Sequence, residues 1–113
     1  MIVRTFCKAL AVGVILGPLF VVAAAQAADD ATVKLYQTKC AACHGADGSG
    51  NTAVGKALML RDIRDPEVQK MSDADLATLY AKGKGKMPAN EKSLKPDQIQ
   101  ALVAYTRELA TKK

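Results

Sequence analysis

Beyond an apolar run at residues 9–25, hydrophobic positions in the chain recur every three to four residues, the period of an amphipathic helix. This spacing predicts a first helix from about Asp30 to Cys43 and a last helix that starts at Pro96. No segment reads convincingly as a strand, so the pattern predicts an all-α fold. The apolar stripes of the last helix comprise Ile99, Leu102, Val103, Tyr105, Thr106 and Leu109.

Capping signals predict two further helices in the middle of the chain. Asp65 followed by Pro66 is typical of an N-cap and a first helical position. Ser72, with an aspartate three positions later, resembles a capping box and opens the next helix. Residues 45–52 and 82–90 are rich in glycine and are predicted to be loops.

The first 27 residues have the layout of a secretory signal peptide. Arg4 and Lys8 precede the apolar run, which ends at an A-x-A cleavage site formed by residues 25–27. An uncleaved membrane anchor is the alternative, but the run is short for a span of about 20 residues. We therefore expect export, cleavage after Ala27, and a mature domain of residues 28–113 with no stable membrane insertion.

The composition of the chain without this segment indicates that the core is small. The remaining 86 residues contain three tyrosines but no tryptophan or phenylalanine, which is a thin supply of large apolar side chains. Domains of this size often need a metal or another cofactor to complete the core. The 14 basic side chains of this part are spread among 11 acidic ones, whereas a nucleic-acid surface would show a denser basic patch.

The strongest chemical signal is the segment Cys40-Ala41-Ala42-Cys43-His44. On a helix its two thiols and its imidazole share one face. This spacing is the attachment signature of c-type haem, in which the thiols add to two vinyl groups and the histidine binds iron. A zinc site would need four ligands, a redox dithiol usually accompanies a βαβ unit, and a small disulfide is the remaining alternative. Signal cleavage would also remove Cys7 and leave the two motif cysteines as a pair.

A methionine is the natural ligand for the opposite side of the iron, because the chain has no second histidine. Three methionines remain after signal cleavage. Met71 precedes a helix cap, where it is expected to pack as a hydrophobic staple. Met87 lies in a loop and is followed by Pro88, which stiffens the approach, so we expect Met87 to bind the iron. Met59 is the next candidate.

Two supporting contacts are expected around this site. A metal-bound histidine usually donates its second ring N–H to an acceptor, and a backbone carbonyl of residues 52–58 is expected to accept it from His44. Arg61 is the candidate for a contact with a haem propionate, together with Lys56 and Arg64. Solvated loop charges are the alternative for all three.

The chain resembles the small class I c-type cytochromes of bacteria over essentially the whole of residues 28–113. The residues that carry this resemblance are Leu35, Tyr36, Cys40, Cys43, His44, Gly45, Met87, Pro88, Ile99, Leu102, Val103 and Tyr105. The resemblance implies a small all-α cytochrome c-like fold of three to five helices around one covalently bound haem, with the first and last helices crossing. It also implies two thioether bonds and two axial ligands, at Cys40, Cys43, His44 and Met87.

The resemblance further implies a periplasmic carrier of single electrons, expected to be monomeric, that serves unidentified redox partner proteins. Protein ligands on both sides of the iron would keep substrates from the metal, and no other acid–base or nucleophilic cluster is evident, so we do not expect an enzyme. Two alternatives stay open. One is a haem enzyme, or a sensor of gas or peroxide, with a displaceable sixth ligand; the other is a dedicated electron-docking subunit of an oxidoreductase.

Overall fold

The computed structural model describes residues 13–14, 17–20 and 27–112, and the long described segment is helical. Most of the expected signal peptide lies outside the described residues. The helices are α1 (Asp30–Lys39), α2 (Ala41–His44), α3 (Ala53–Ala57), α4 (Pro66–Gln69), α5 (Asp73–Lys82) and α6 (Pro96–Thr111). Three of them are single turns, which is why the count exceeds the three to five expected. The described residues form no strand, only an isolated bridge between Lys84 and Met87, so the all-α class is confirmed. None of the described helices has the length and apolar character needed to cross a membrane.

The first predicted helix is in fact two helices that meet at Cys40. α1 starts after Asp29, whose carboxylate accepts a hydrogen bond from the Thr32 amide at 2.8 Å. At Cys40 the backbone φ opens to −121°, which interrupts the helix. The His44 amide still donates to the Cys40 carbonyl at 2.9 Å, so α2 carries the histidine one turn beyond the first thiol. The prediction of one continuous helix was wrong here, because neither glycine nor proline marks the interruption.

The core lies where α1 packs against α6. The rings of Tyr36 and Tyr105 meet edge to face, with centroids 5.1 Å apart and planes at 72°. Leu94, Ile99, Leu102 and Leu109 complete the buried cluster. All six residues predicted for the apolar stripes of α6 are buried. Burying a large apolar side chain contributes roughly 1.5–3 kcal/mol, so these contacts are the main stabilising force in this half of the molecule.

The caps of α5 and α6 show which side chains start each helix. Ser72 Oγ accepts a hydrogen bond from the Asp75 amide at 3.0 Å, which confirms Ser72 as the N-cap of α5. Lys95 is the N-cap of α6, although lysine has no side-chain oxygen to cap with. Gln98 compensates, since its side-chain oxygen accepts from the Lys95 amide at 2.8 Å. Gln98 thus supplies the second half of a capping box.

Polar contacts tie α6 to the rest of the fold near its carboxyl end. The Arg107 guanidinium donates to the carbonyls of Gln69 and Met71 at 2.9 and 2.6 Å, which holds the α4–α5 junction against α6. Glu108 accepts a hydrogen bond from the Ala28 amide at 2.6 Å, which joins the start of α1 to α6. A hydrogen bond from Lys112 and, to a smaller extent, one from the Ala28 amide lower the pKa of Glu108. Its carboxylate is therefore ionised at neutral pH.

Candidate functional site

The turn that carries the cysteine pair is held by α3 through close backbone contacts. Thr52 Oγ1 donates to the Cys43 carbonyl at 2.7 Å and accepts from the Gly55 amide at 2.8 Å, as the N-cap of α3. A Cβ atom at Gly55 would lie 2.2 Å from the Gly50 carbonyl oxygen and 2.7 Å from that of Cys43. Only glycine permits this approach, so α3 fixes the motif by direct contact between backbones.

Tyr36 fixes the same turn from the side of α1. Its ring is buried, and its hydroxyl donates to the Gly45 carbonyl at 2.8 Å. Burial raises the pKa of Tyr36 well above its usual range, so the hydroxyl keeps its proton and remains a donor. Since Gly45 follows His44 directly, this bond restrains the residue next to the imidazole.

A cavity of about 170 Å³ lies beside this turn, lined mainly by apolar side chains from α1, α4, α5 and α6. The structure brings four of the predicted site residues together on its wall: Cys40, His44, Arg61 and Met87. Cys43 is half-buried and precedes His44 directly, but it does not form part of this wall. The cavity therefore joins the haem-attachment motif to the loop that contains Met87.

The three candidate methionines occupy different positions relative to the cavity. Met87 and Met71 both line it. Met59 does not, and its side chain is 90% exposed. The loop before Met87 folds back on itself, because the amides of Lys84 and Met87 each donate to the other residue's carbonyl, at 3.1 and 3.0 Å. Asn90 anchors the far end of this loop, donating from its side chain to the Tyr80 carbonyl at 3.2 Å.

His44 has a buried ring nitrogen available for further contacts. Its Nδ1 atom is buried and has no hydrogen-bond partner within the part of the chain that the structure describes. The predicted hydrogen bond from this ring to a carbonyl of residues 52–58 is therefore not seen in the described chain. Burial lowers the pKa of His44, which favours the neutral imidazole that metals bind.

The cysteines are free thiols in the described chain, so the disulfide alternative is not seen. Burial and, to a smaller extent, the nearby charge of Cys43 raise the pKa of Cys40 to about 11. No cluster of three or more His, Cys, Asp or Glu side chains among the described residues is arranged to hold a metal ion. A half-buried thiol and a neutral imidazole on the wall of one apolar cavity fit a covalently attached haem.

The three candidate propionate contacts differ in their availability. The Arg64 guanidinium already binds both carboxylate oxygens of Asp62, from Nε at 2.9 Å and from Nη2 at 2.8 Å. Lys56 is exposed and lies away from the cavity wall. Arg61 both lines the cavity and is exposed to solvent, so it stands where a charged group could meet the edge of a bound haem.

A buried pair of hydroxyl groups on the cavity wall was missed by the sequence analysis. Thr106 is 1% exposed and donates to the Leu102 carbonyl at 3.0 Å, so its oxygen accepts the short hydrogen bond from the Tyr80 hydroxyl. Burial raises the pKa of Tyr80, which keeps this donor protonated. In the sequence Thr106 falls in an apolar stripe and is expected only to pack. No local signal could pair it with a tyrosine on α5.

An all-α fold in which a C-x-x-C-H turn borders an apolar cavity defines a small c-type cytochrome. Comparison with known families identifies the family to which the chain belongs. It belongs to the cytochrome c family described as "Cytochrome C oxidase, cbb3-type, subunit III", whose model matches residues 27–105. The chain is thus a small class I c-type cytochrome that carries covalently bound haem c and serves as a haem-based electron carrier.

Individual relatives agree with this assignment. The chain is 36% identical over 80 residues to a protein named cytochrome c6 from Gloeothece citriformis (strain PCC 7424), an alignment that covers 70% of this chain and 69% of that protein. It also resembles the solved structure of the KustC0563 c-type cytochrome, with a TM-score of 0.64 and 34% identity. That match covers 69% of this chain and 95% of the other. Both proteins are named as cytochromes.

Proposed function

We propose that this chain is an exported carrier of single electrons whose haem is bonded to Cys40 and Cys43 and ligated by His44 and Met87. The observation that carries the proposal is the placement of Cys40, His44 and Met87 on the wall of one cavity. Haem bound there supplies a reversible one-electron iron couple, and a His/Met ligand pair raises its reduction potential.

The roles of the protein groups follow from their supports. α2 presents the His44 imidazole, and the bonds of Tyr36 and Thr52 restrain the residues on either side of it. The folded-back loop presents the Met87 thioether, anchored at its far end by Asn90. Two ligands held on separate rigid supports have little need to move when an electron arrives, and the apolar wall excludes water from the site.

Met87 is preferred over the other methionines for reasons of position. Met59 points into solvent away from the cavity. Met71 also lines the cavity, but it directly precedes the N-cap of α5, a position that predicts packing as a hydrophobic staple. Met87 lies on the cavity wall in a loop that its own backbone hydrogen bonds and the following Pro88 hold in shape, so the loop can present the thioether to the iron.

The test compares two methionine substitutions in the full chain, expressed in a host that matures c-type cytochromes. The oxidised wild type should show the weak red charge-transfer absorption of methionine ligation. Met87→Ala should abolish this absorption and lower the reduction potential, because the iron loses its thioether ligand. The matched control Met71→Leu should keep both. Loss of the band in Met71→Leu but not in Met87→Ala would reverse the assignment.

Export is tested on the same material. We expect the purified haem protein to come from the periplasm and to begin at Ala28, since residues 1–27 have the layout of a cleaved leader. A haem protein that retains Met1 and sediments with membranes would contradict this part of the proposal while leaving the haem ligands untouched.

A second candidate is a dedicated electron-docking subunit of an oxidoreductase. The description of the family names an oxidase subunit, which favours this reading for at least some of its members. A free carrier should purify alone, whereas a dedicated subunit should remain with its oxidoreductase in a fixed ratio through two purification steps. The fold itself does not distinguish the two.

A further inference from the structure

The exposed apolar side chains of the long described segment are concentrated in one place. Among residues 27–112, the large hydrophobic residues exposed to solvent are Val54, Leu58 and Met59, at 44, 38 and 90%. All three belong to α3 or to the two residues that follow it. Single exposed apolar residues are ordinary, but a cluster on one short element is typical of a contact surface. We call these three residues the α3 face.

Met59 is held in a backbone conformation that is unfavourable for methionine. Its φ is +51°, and it is the one non-glycine residue with positive φ in the described chain. The amide of Met59 donates to the Lys56 carbonyl at 3.2 Å and that of Leu60 to the Gly55 carbonyl at 2.8 Å. These two bonds form a Schellman motif, whose left-handed position is usually occupied by glycine. The chain therefore keeps a methionine at a position where glycine would be more stable.

Packing within the chain does not account for this side chain, because nine-tenths of its surface is exposed. A residue that carries a conformational cost without forming internal contacts is a candidate for external ones. Methionine suits this use, since its flexible thioether adapts to a partner surface.

The charged side chains within the segment that carries the α3 face are both basic. Residues 48–61 contain Lys56 and Arg61 but no acidic residue. The acids on either side of this segment both lie beside Arg64: its guanidinium binds both carboxylate oxygens of Asp62 and lies 3.8 Å from that of Asp47. An apolar centre with a basic margin is complementary to an apolar surface with a margin of carboxylates.

The α3 face is also attached directly to the haem-binding turn. Thr52, the N-cap of α3, bonds to the Cys43 carbonyl, and Arg61 at the end of the segment lines the cavity. A partner seated on this face would stand next to the residues proposed to bind haem. We propose that the α3 face is the docking surface for a redox protein whose contact area is apolar with a carboxylate margin; this inference rests on the proposed electron-carrier function.

The test uses a surface of known chemistry in place of the unidentified partner. Matured protein is studied by voltammetry on gold coated with a mixed monolayer of methyl-terminated and carboxylate-terminated thiols. Met59→Asn and Met59→Gly should slow electron transfer about fivefold, the effect typical of losing one interface anchor. Met59→Leu, which keeps an apolar side chain, should transfer at nearly the wild-type rate.

Stability should move in the opposite direction to the rate. Asparagine and glycine both accept a left-handed backbone, so Met59→Asn and Met59→Gly should raise the melting temperature by about 2–6 °C. Reduction by ascorbate and the reduction potential should not change. A rate loss that comes with lower stability, or that equally affects the reaction with ascorbate, would indicate general damage and overturn the assignment.

Three other results separate the possible failures. If Met59→Asn and wild type transfer electrons equally fast on the mixed monolayer, the docking surface is refuted and the electron-carrier function stands. If the wild-type chain matures without haem or a reversible couple, the proposed function itself fails. If wild type sediments as a dimer and Met59→Asn as a monomer, the α3 face binds a second copy of the chain and not a redox partner.

Discussion

At the scale of single residues, the position of the haem-binding motif depends on a few polar atoms. The Tyr36 hydroxyl bonds to the Gly45 carbonyl, and the Thr52 hydroxyl to the Cys43 carbonyl, so both residues that flank His44 are restrained by side chains from elsewhere. Each bond connects residues nine positions apart in the sequence. They restrain the imidazole even though its Nδ1 atom forms no hydrogen bond within the described chain.

We expect Tyr36→Phe to lower the free energy of unfolding by about 1 kcal/mol, the usual net value of a buried hydrogen bond. The loss stays near this value because the Gly45 carbonyl also accepts from the Gly48 amide at 3.1 Å. The change corresponds to a melting temperature lower by about 4–8 °C. Tyr105→Phe is the matched control, since that hydroxyl has no protein partner in the described residues while the ring lies in the same pair. Equal effects of the two substitutions would show that the Tyr36 hydroxyl is not a restraint.

At the scale of elements, the sequence was most informative where a pattern is long or chemically specific. The stripes of α6, the Ser72 cap and the all-α class followed from spacing and capping rules. The interruption at Cys40 and the single turn α3 did not. Four or five residues are too few to show a helical period, and the close approach of Gly55 depends on a contact with the Cys43 carbonyl that no local rule supplies.

The haem site was likewise predicted where the sequence signal is chemically specific. The C-x-x-C-H motif indicated haem, and the structure places its first cysteine, its histidine and Met87 on one cavity wall. The presence of Met71 on that wall was not expected, because its place before a helix cap predicts packing alone. Which side chains line a cavity depends on how the helices are arranged in space, and spacing along the chain does not contain that information.

The contact of α3 with the haem-binding turn can be tested by three substitutions at Thr52 and Gly55. Thr52→Val removes both the helix cap and the bond to the Cys43 carbonyl and should destabilise the protein by about 1–2 kcal/mol, whereas Thr52→Ser should keep both bonds. Gly55→Ala should cost about 1–3 kcal/mol, because its Cβ would overlap two backbone oxygens that cannot easily move. Urea unfolding measures all three variants. A Gly55→Ala protein as stable as wild type would show that α3 does not rest on the turn.

At the scale of the whole molecule, the helices surround a cavity that is lined mainly by apolar side chains. The buried cluster between α1 and α6 occupies one side, and apolar side chains of α5 such as Leu76 and Leu79 face the cavity on another. The domain has few aromatic side chains with which to fill such a space. Bound haem therefore supplies part of the core as well as the redox couple, which agrees with the need of small domains for a cofactor.

The contact between Ala28 and Glu108 would change in character if the leader is cleaved. If the leader is removed after Ala27, the Ala28 nitrogen becomes an ammonium group, and its hydrogen bond to Glu108 becomes an ion pair. A carboxylate neighbour raises the pKa of such an amine above its ordinary value of about 7.7–8.0. The stabilisation from the amine is complete below that range and is lost as the pH rises through the folded-state pKa. The pKa of Glu108 is lowered, so its own contribution is lost on the acidic side.

Thermal melting of the processed protein should therefore show a loss of stability between about pH 7 and about pH 10 that Glu108→Gln abolishes. A processed chain with one extra glycine before Ala28 should behave like Glu108→Gln in this range, because its amine stands one residue further away. Indistinguishable pH profiles of all three proteins would refute the ion pair.

The peptidase that removes the leader would therefore also create a charged contact within the folded domain. Only a trimmed chain would present a positive terminus to Glu108, so removal of the leader would convert an existing hydrogen bond between the two ends of the domain into an ion pair.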